Sequence, residues 1–185
     1  YSVYEKWQVP HFEKMLYDQA LLLMAYSEMA QISGEKRYAE VAESIVSYVS
    51  KHLTSPEGAF YSAEDADSDG GEGNFYVWTR EEVVAVLGEQ AGVVFCDFHS
   101  VTPKGNFVDP HNPAPGRNVL QRRVDAVSFA ETVGMKPAAL RKQMAEGRQR
   151  LLMARQGRIR PKRDEKILAD WNGLMIAALA GAAWR

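Results

Sequence analysis

Along most of this chain apolar positions recur with a helical period, and at one place the period breaks. From Phe12 to about Ser33, Phe12, Leu16, Ala20, Leu23, Met24 and Ser27 form one stripe, and Met15, Leu22, Tyr26 and Met29 form a second. A helix apolar over so much of its girth is one buried on two sides, and Gly34 ends it. Lys36 to Leu53 carries a single stripe of Tyr38, Val41, Ala42, Ile45 and Val49, so the pair reads as a helical hairpin with an inner and an outer layer. Thr79-Arg80-Glu81-Glu82 is a capping threonine followed by first-turn acids, opening a helix to about Leu87, with another from Glu89 to Phe95. Thr102 to Arg117 is loop, rich in proline and glycine. Val124 to Val133 is a helix closed by Gly134, Pro137 opens a long helix to about Gln156, and Asp164 to Arg185 is the last, with the apolar run Leu174 to Trp184 inside it.

The break lies in Gly58 to Thr79. The aromatic runs Ala59-Phe60-Tyr61-Ser62 and Phe75-Tyr76-Val77-Trp78 read as two short strands of an antiparallel hairpin. The loop between them carries Glu64, Asp65, Asp67, Asp69 and Glu72. Carboxylates this dense are solvated, hold a cation, or serve a polar ligand. Asp65, Asp67, Asp69 and Gly70 match the opening of an EF-hand loop, but Tyr76 stands where the bidentate glutamate is needed and the flanks are strands, so the sequence predicts a solvated acidic turn rather than a tight calcium site. Glu64 and Asp65 fall at the strand end beside aromatic residues, where a carboxylate can be positioned for acid or base work.

Length and composition add bounds. The 185 residues suffice for one domain with a sizeable core, and 46% hydrophobic with 25% charged residues is ordinary globular composition. A formal charge of -2 argues against nucleic acid or a membrane surface as the main partner. Leu174 to Trp184 is too short to span a bilayer. The one cysteine, Cys96 in an apolar run, reads as a buried small residue and fits a reducing, cytoplasmic setting. The chain starts without methionine and ends within an apolar helix, so it reads as a piece of a longer protein whose other part covers the exposed faces; alone, the piece is expected to self-associate. Nucleotide-binding, serine-hydrolase and zinc-binding motifs are absent, His52 and His99 have no neighbours at ligand spacing, and His111 in its proline-rich loop is expected to be exposed, so neither cofactor nor metal is predicted.

Two further segments carry candidate chemistry. On a helix starting near Pro10, His11, Lys14 and Asp18 would share one face, either as site residues or as an ordinary ion pair with a capping histidine. The basic run Arg158 to Lys166 reads as a solvated loop with local salt bridges, since acids follow and no aromatic residues interleave. Beyond it, Lys166, Asp170 and Gly173 would share a helix face. Trp171-Asn172 could stack on and hydrogen-bond a sugar, or equally could be a core tryptophan with a packing asparagine.

The blocks VPHFEKMLYDQA, GAFYSAEDADSDGGEGNFYVWT, GRNVL and RPKRDEKILADWNGLMIAALA, in this order, resemble the helical region of the thioredoxin-domain-containing family related to spermatogenesis-associated protein 20. The resemblance covers nearly the whole chain. Asp170 stands where that family usually has a small residue. The resemblance implies an all-α fold, part of an α/α-toroid of the six-hairpin glycosidase-like kind, similar to N-acylglucosamine 2-epimerases, with an inserted β-hairpin. The thioredoxin-like domain would precede this chain as a partner in the full-length protein. In such a toroid, inner-helix N-termini and adjoining loops line a central cavity. His11, Glu13, Lys14, Asp18, the hairpin with Asp67 and Trp78, and Lys166, Asp170, Trp171 and Asn172 would converge there on a carbohydrate. His11 would then belong to an epimerase acid–base pair, and Glu64 or Asp65 would face Asp170 as a glycosidase carboxylate pair. The alternative is a non-catalytic domain that binds a sugar or protein partner and serves the thioredoxin-like half.

Overall fold

The computed structural model describes residues 2, 5, 7–109 and 113–183; the expectations for His111, Trp184 and the two chain ends lie outside them. In chain order the elements are β1 (Lys14–Met15), α1 (Leu16–Ser33), α2 (Lys36–Tyr48), β2 (Ala63–Glu64), β3 (Asp67–Ser68) and β4 (Gly71–Glu72). There follow α3 (Arg80–Leu87), α4 (Glu89–Phe98), α5 (Ala126–Thr132), α6 (Pro137–Arg155), β5 (Arg163–Asp164) and α7 (Ala169–Ala183). The chain divides into two compact units, the first made of Tyr1–Phe12 with Asp67–Arg160 and the second of Glu13–Ala66 with Pro161–Arg185. The protein is thus mostly helical, with a few very short strands.

In the second unit, Leu16, Ala20, Leu23 and Ser27 of α1 are buried, and the cluster is completed by Ala42, Ile45, Val49 and Leu53 together with Met175 and Ala178 of α7. This is the first of the two predicted stripes. The second is covered only in part: Leu22 and Met29 are exposed, while Met15 is half-buried and Tyr26 packs on the cluster. The predicted second helix stands, its last turn widened into a π turn over Val49–Leu53. Gly34, at φ 67°, closes α1 by donating its N–H to the Ala30 carbonyl.

The predicted first helix starts four residues late. Phe12 is buried in the first unit, where its ring stacks on Tyr76 at 5.8 Å and meets Phe107 edge-on at 5.4 Å. Gly73, at φ 71°, lies so close to that ring that a Cβ would fall 2.6 Å from it. Lys14–Met15 is then extended and antiparallel to Ala63–Glu64, which in turn pairs with Arg163–Asp164. The Leu16 N–H donates to the Ser62 carbonyl at 2.8 Å, and only there does helix begin. His11, Lys14 and Asp18 therefore do not share a helix face. Lys166 likewise lies outside α7 and shares no helix face with Asp170 and Gly173, because Asp164 belongs to a strand.

The predicted hairpin is also displaced. The two aromatic runs do not pair with each other: Phe60 bridges Thr54, and Trp78 bridges Asn118. The hairpin is the smaller β3–β4 ladder, with Asp67 opposite Glu72 and Ser68 opposite Gly71. Its turn residues Asp69 and Gly70 have φ of 49° and 78°, the left-handed values that an Asp-Gly turn supplies.

The first unit is otherwise as the pattern implies. Thr79 and Glu82 form a reciprocal capping box on α3, Asp125 caps α5, and Pro137 sits in the first turn of α6. Val83, Leu87, Phe95, Leu140, Met144 and Leu151 fill the core between α3, α4 and α6. Cys96 is fully buried there, and burial pushes its thiol up to about 11, so it is an inert core residue.

Candidate functional site

The hairpin turn fixes the first candidate. Because Asp67 and Glu72 are directly opposite on the β3–β4 ladder, their side chains leave the same face. The Glu72 N–H donates to the carboxylate of Asp109 at 3.0 Å, and Asp109 is almost fully buried. The segment before α1 approaches this hairpin, held by Phe12 in its aromatic cluster and by the Gln8 carbonyl, which accepts from the Gln121 side chain at 2.8 Å. The outcome is His11 Nδ1 at 3.7 Å from Glu72 Oε1, with side-chain exposures of 21% and 25%. An imidazole oriented by a carboxylate and reachable from solvent can accept and return a proton.

A polar cavity of about 460 Å³ opens in the same unit, lined among others by Asp69, Asn74, Trp78, Glu82, Arg117 and Arg158. The Arg158 guanidinium lies 3.9 Å from the centre of the Trp78 ring. It donates to the carbonyls of Val77 at 2.6 Å and Phe75 at 3.2 Å, and to Glu82 Oε1 at 3.3 Å. Burial lowers its pKa, with Glu82 opposing and Arg117 adding to the effect. Arg155 and Arg160 stack on Phe75 as well. Much of the basic run is the solvated loop expected, with Arg160, Lys162, Arg163, Glu165 and Lys166 exposed and local ion pairs at Arg163–Glu165 and Lys166–Asp164. What the expectation lacked is the cation–π contact of Arg158 with Trp78 and of Arg160 with Phe75. Trp78, expected to meet substrate, is 4% exposed beneath Arg158.

The remaining predicted site residues belong to the second unit. Glu64, on the middle strand, is 3% exposed, with Lys14 and Arg163 as its register partners on either side. Glu13, Lys14 and Asp18 are half-buried, Asp18 in the first turn of α1. Asp65 is exposed, its N–H donating to the Lys162 carbonyl at 2.8 Å. Asp170 is exposed too, and its Oδ1 accepts from the Trp171 N–H at 2.9 Å. Lys166 Nζ pairs with Asp164 at 2.8 Å, and that hydrogen bond holds the Asp164 carboxyl below its ordinary pKa. Asn172 works as a peptide mimic. Its Oδ1 accepts from the Phe60 N–H at 2.8 Å, and its Nδ2 donates to the carbonyls of Phe60 and Leu168, each at 2.9 Å. Trp171 meets Tyr17 edge-on at 4.8 Å and packs on the core. Of the two readings of this pair, packing describes its contacts.

Glu72, Asp109, Arg117 and Asn118 were not singled out as site residues by the sequence. Only Glu72 had a local signal: an Asp69-Gly70 turn sets Asp67 opposite it. Among the described residues no group of three or more histidine, cysteine, aspartate or glutamate side chains could hold a metal ion, and no helix is long and apolar enough to cross a membrane.

No family model matches the chain. It is 41% identical to spermatogenesis-associated protein 20 of Homo sapiens over 97% of its length, and 40% identical to the Mus musculus protein of that name over 99%. An uncharacterized protein of Caenorhabditis elegans is 35% identical over 98% of the chain. The chain spans about a quarter of the length of these relatives, 25% of the human protein and 27% of the nematode one.

Proposed function

We propose that this chain is part of a carbohydrate-active, sugar-epimerase-like module in a longer, thioredoxin-domain-containing protein, built on a portion of an α/α-toroid. The observation that supports it is the His11–Glu72 contact at 3.7 Å between two part-exposed side chains. Epimerisation beside a carbonyl needs a base that takes the carbon-bound proton and an acid that returns one to the other face. His11 would be one member of that pair, with the Glu72 carboxylate beside its Nδ1. The hydrolytic version has weaker support, because Glu64 is buried in a strand and leaves only the exposed Asp65 with Asp170.

A second reading, a non-catalytic scaffold serving the thioredoxin-like half, draws support from Asn172 and Arg158, whose polar groups are spent on backbone. The experiment is a turnover and binding panel of aldoses, ketoses and N-acyl sugars on the full-length protein. Under the epimerase reading, His11→Gln and Glu72→Gln each lower turnover by about 10²-fold or more while the melting temperature holds. Binding without turnover, or turnover unchanged in both variants, rejects it and leaves the scaffold.

A further inference from the structure

The cavity beside Arg117 has features that neither the acid–base contact nor the core requires. Arg117 sits on a backbone locked from both sides. Asn118, fully buried, donates from Nδ2 to the carbonyls of Trp78, Thr102 and Gly116 at 3.2, 3.0 and 2.8 Å, and its Oδ1 accepts from the Thr102 N–H at 3.0 Å. The Arg117 carbonyl accepts from the N–H groups of Asn106 and Phe107. Gly105, at φ 84°, is so close that a Cβ there would lie 2.5 Å from that same carbonyl oxygen. A long cationic side chain is thus presented from a rigid base.

The two arginines of the cavity differ in what they have left to give. Arg158 donates to carbonyls and to Glu82. Arg117, among the described residues, has one hydrogen bond, from Nη1 to Asn74 Oδ1, and Asn74 is itself oriented by donating to the Asp69 carbonyl at 3.2 Å. Glu82 answers the charge of Arg158, while Arg117, which lines the same cavity, has no carboxylate within ion-pair distance among the described residues. The volume of about 460 Å³ suits a small molecule. The Asp69 and Glu82 carboxylates on the same walls are acceptors for hydroxyl groups.

We propose that this cavity binds a small hydroxyl-bearing ligand through an anionic group, a carboxylate or phosphate, held by Arg117. The proposal stands independently of the His11–Glu72 reading, since no residue is shared.

Calorimetric titration of the full-length protein with glucose 6-phosphate, glucuronate, glucose and inorganic phosphate tests it. At least one of the two anionic sugars should bind, and about tenfold or more tighter than glucose. Which one binds tells phosphate from carboxylate. Arg117→Met should weaken that binding at least tenfold, and Arg117→Lys should recover part of it, because a point charge lacks the fork that grips two oxygens. If Arg117→Met does not fold, Asp69→Asn replaces it: loss of a hydroxyl acceptor should weaken the anionic sugar, and inorganic phosphate, which has no sugar hydroxyl to place there, should not be weakened. Failure of both anionic sugars to bind, binding unchanged in Arg117→Met, or in its place in Asp69→Asn, or glucose as tight as the anions would overturn the proposal. Inorganic phosphate binding as tightly as the sugar phosphate would also overturn it, by removing the hydroxyl-recognition half.

Discussion

Replacing Asn118 by alanine should cost roughly 2–4 kcal/mol of stability, because the buried Gly116 carbonyl and the part-buried Thr102 N–H lose their partners and a packed side chain is removed. The carboxamide is fully buried and makes four hydrogen bonds. Two of its carbonyl partners keep another donor: Trp78 retains the Asn118 N–H, and Thr102 retains the Gly105 N–H. The Gly116 carbonyl is left orphaned at about 1–3 kcal/mol, and the Thr102 N–H, on an exposed residue, loses its partner at a smaller cost. Native-state hydrogen exchange reads this locally, since the Trp78 and Asn118 amides are bonded to each other's carbonyls at 2.9 and 2.8 Å. Their protection should fall with the global midpoint. A loss under about 1 kcal/mol would mean that water takes over these groups and that Arg117 is less firmly seated than its hydrogen bonds imply.

Acid should weaken the protein through His99. The ring is 7% exposed, stacked on Phe95 at 4.1 Å and edge-on to Phe98 at 5.0 Å, with Nδ1 at 3.1 Å from the Phe95 carbonyl, so the neutral tautomer carries its proton there. Burial lowers its pKa to about 4 from 6.5; the carbonyl contact opposes this, and Arg148 and Arg122 add to it. The unfolded chain therefore binds the proton more readily than the folded one. The favourable term is whole above pH 6.5, erodes as pH falls toward 4, and is spent below that, a total of about 3 kcal/mol for a shift of this size. Denaturant midpoints measured from pH 7.5 to 4.5 should fall steadily in the natural protein. In His99→Gln, which keeps a donor for Phe95 but does not titrate, they should be flatter. Equal slopes would place the acid sensitivity elsewhere.

What could be seen in the sequence was what is decided locally. Thr79 with Glu82, Pro137 and Gly34 each mark a helix end by a contact within four residues, and those ends fall where expected. Phe12 failed for the opposite reason. Its place in the apolar stripe continued the helical period, but its ring is taken by Tyr76 and Phe107, far along the chain. The aromatic run 75–78 looked like a strand, yet its neighbours are arginines 155, 158 and 160, whose planar cations suit ring faces. Periodicity carries no information about such partners. The same holds for the candidate site: helical spacing sets His11 beside Lys14, and its actual neighbour is Glu72 across a long separation. Asp69-Gly70 is a local turn signal of the same kind as the helix caps, and it fixes the Asp67–Glu72 cross-strand pair, which the reading of this segment as the loop of a larger hairpin passes over.

The middle strand Ala63–Glu64 has its two neighbours at positions 14–15 and 163–164, so the second unit is written in two pieces with the first unit's long stretch between them. Order of synthesis then matters. Residues 67–160 leave the ribosome before the third strand and α7 exist, and the α1–α2 hairpin waits with one of its packing partners unmade. Closing so long a loop adds little to the equilibrium cost, about 0.6 kcal/mol for each doubling of length, but it slows the search, since folding rates fall as contacting residues lie farther apart in sequence. The second unit should be the late-folding one, and during that wait the apolar faces of its early half are open to chaperones and to other copies of the chain.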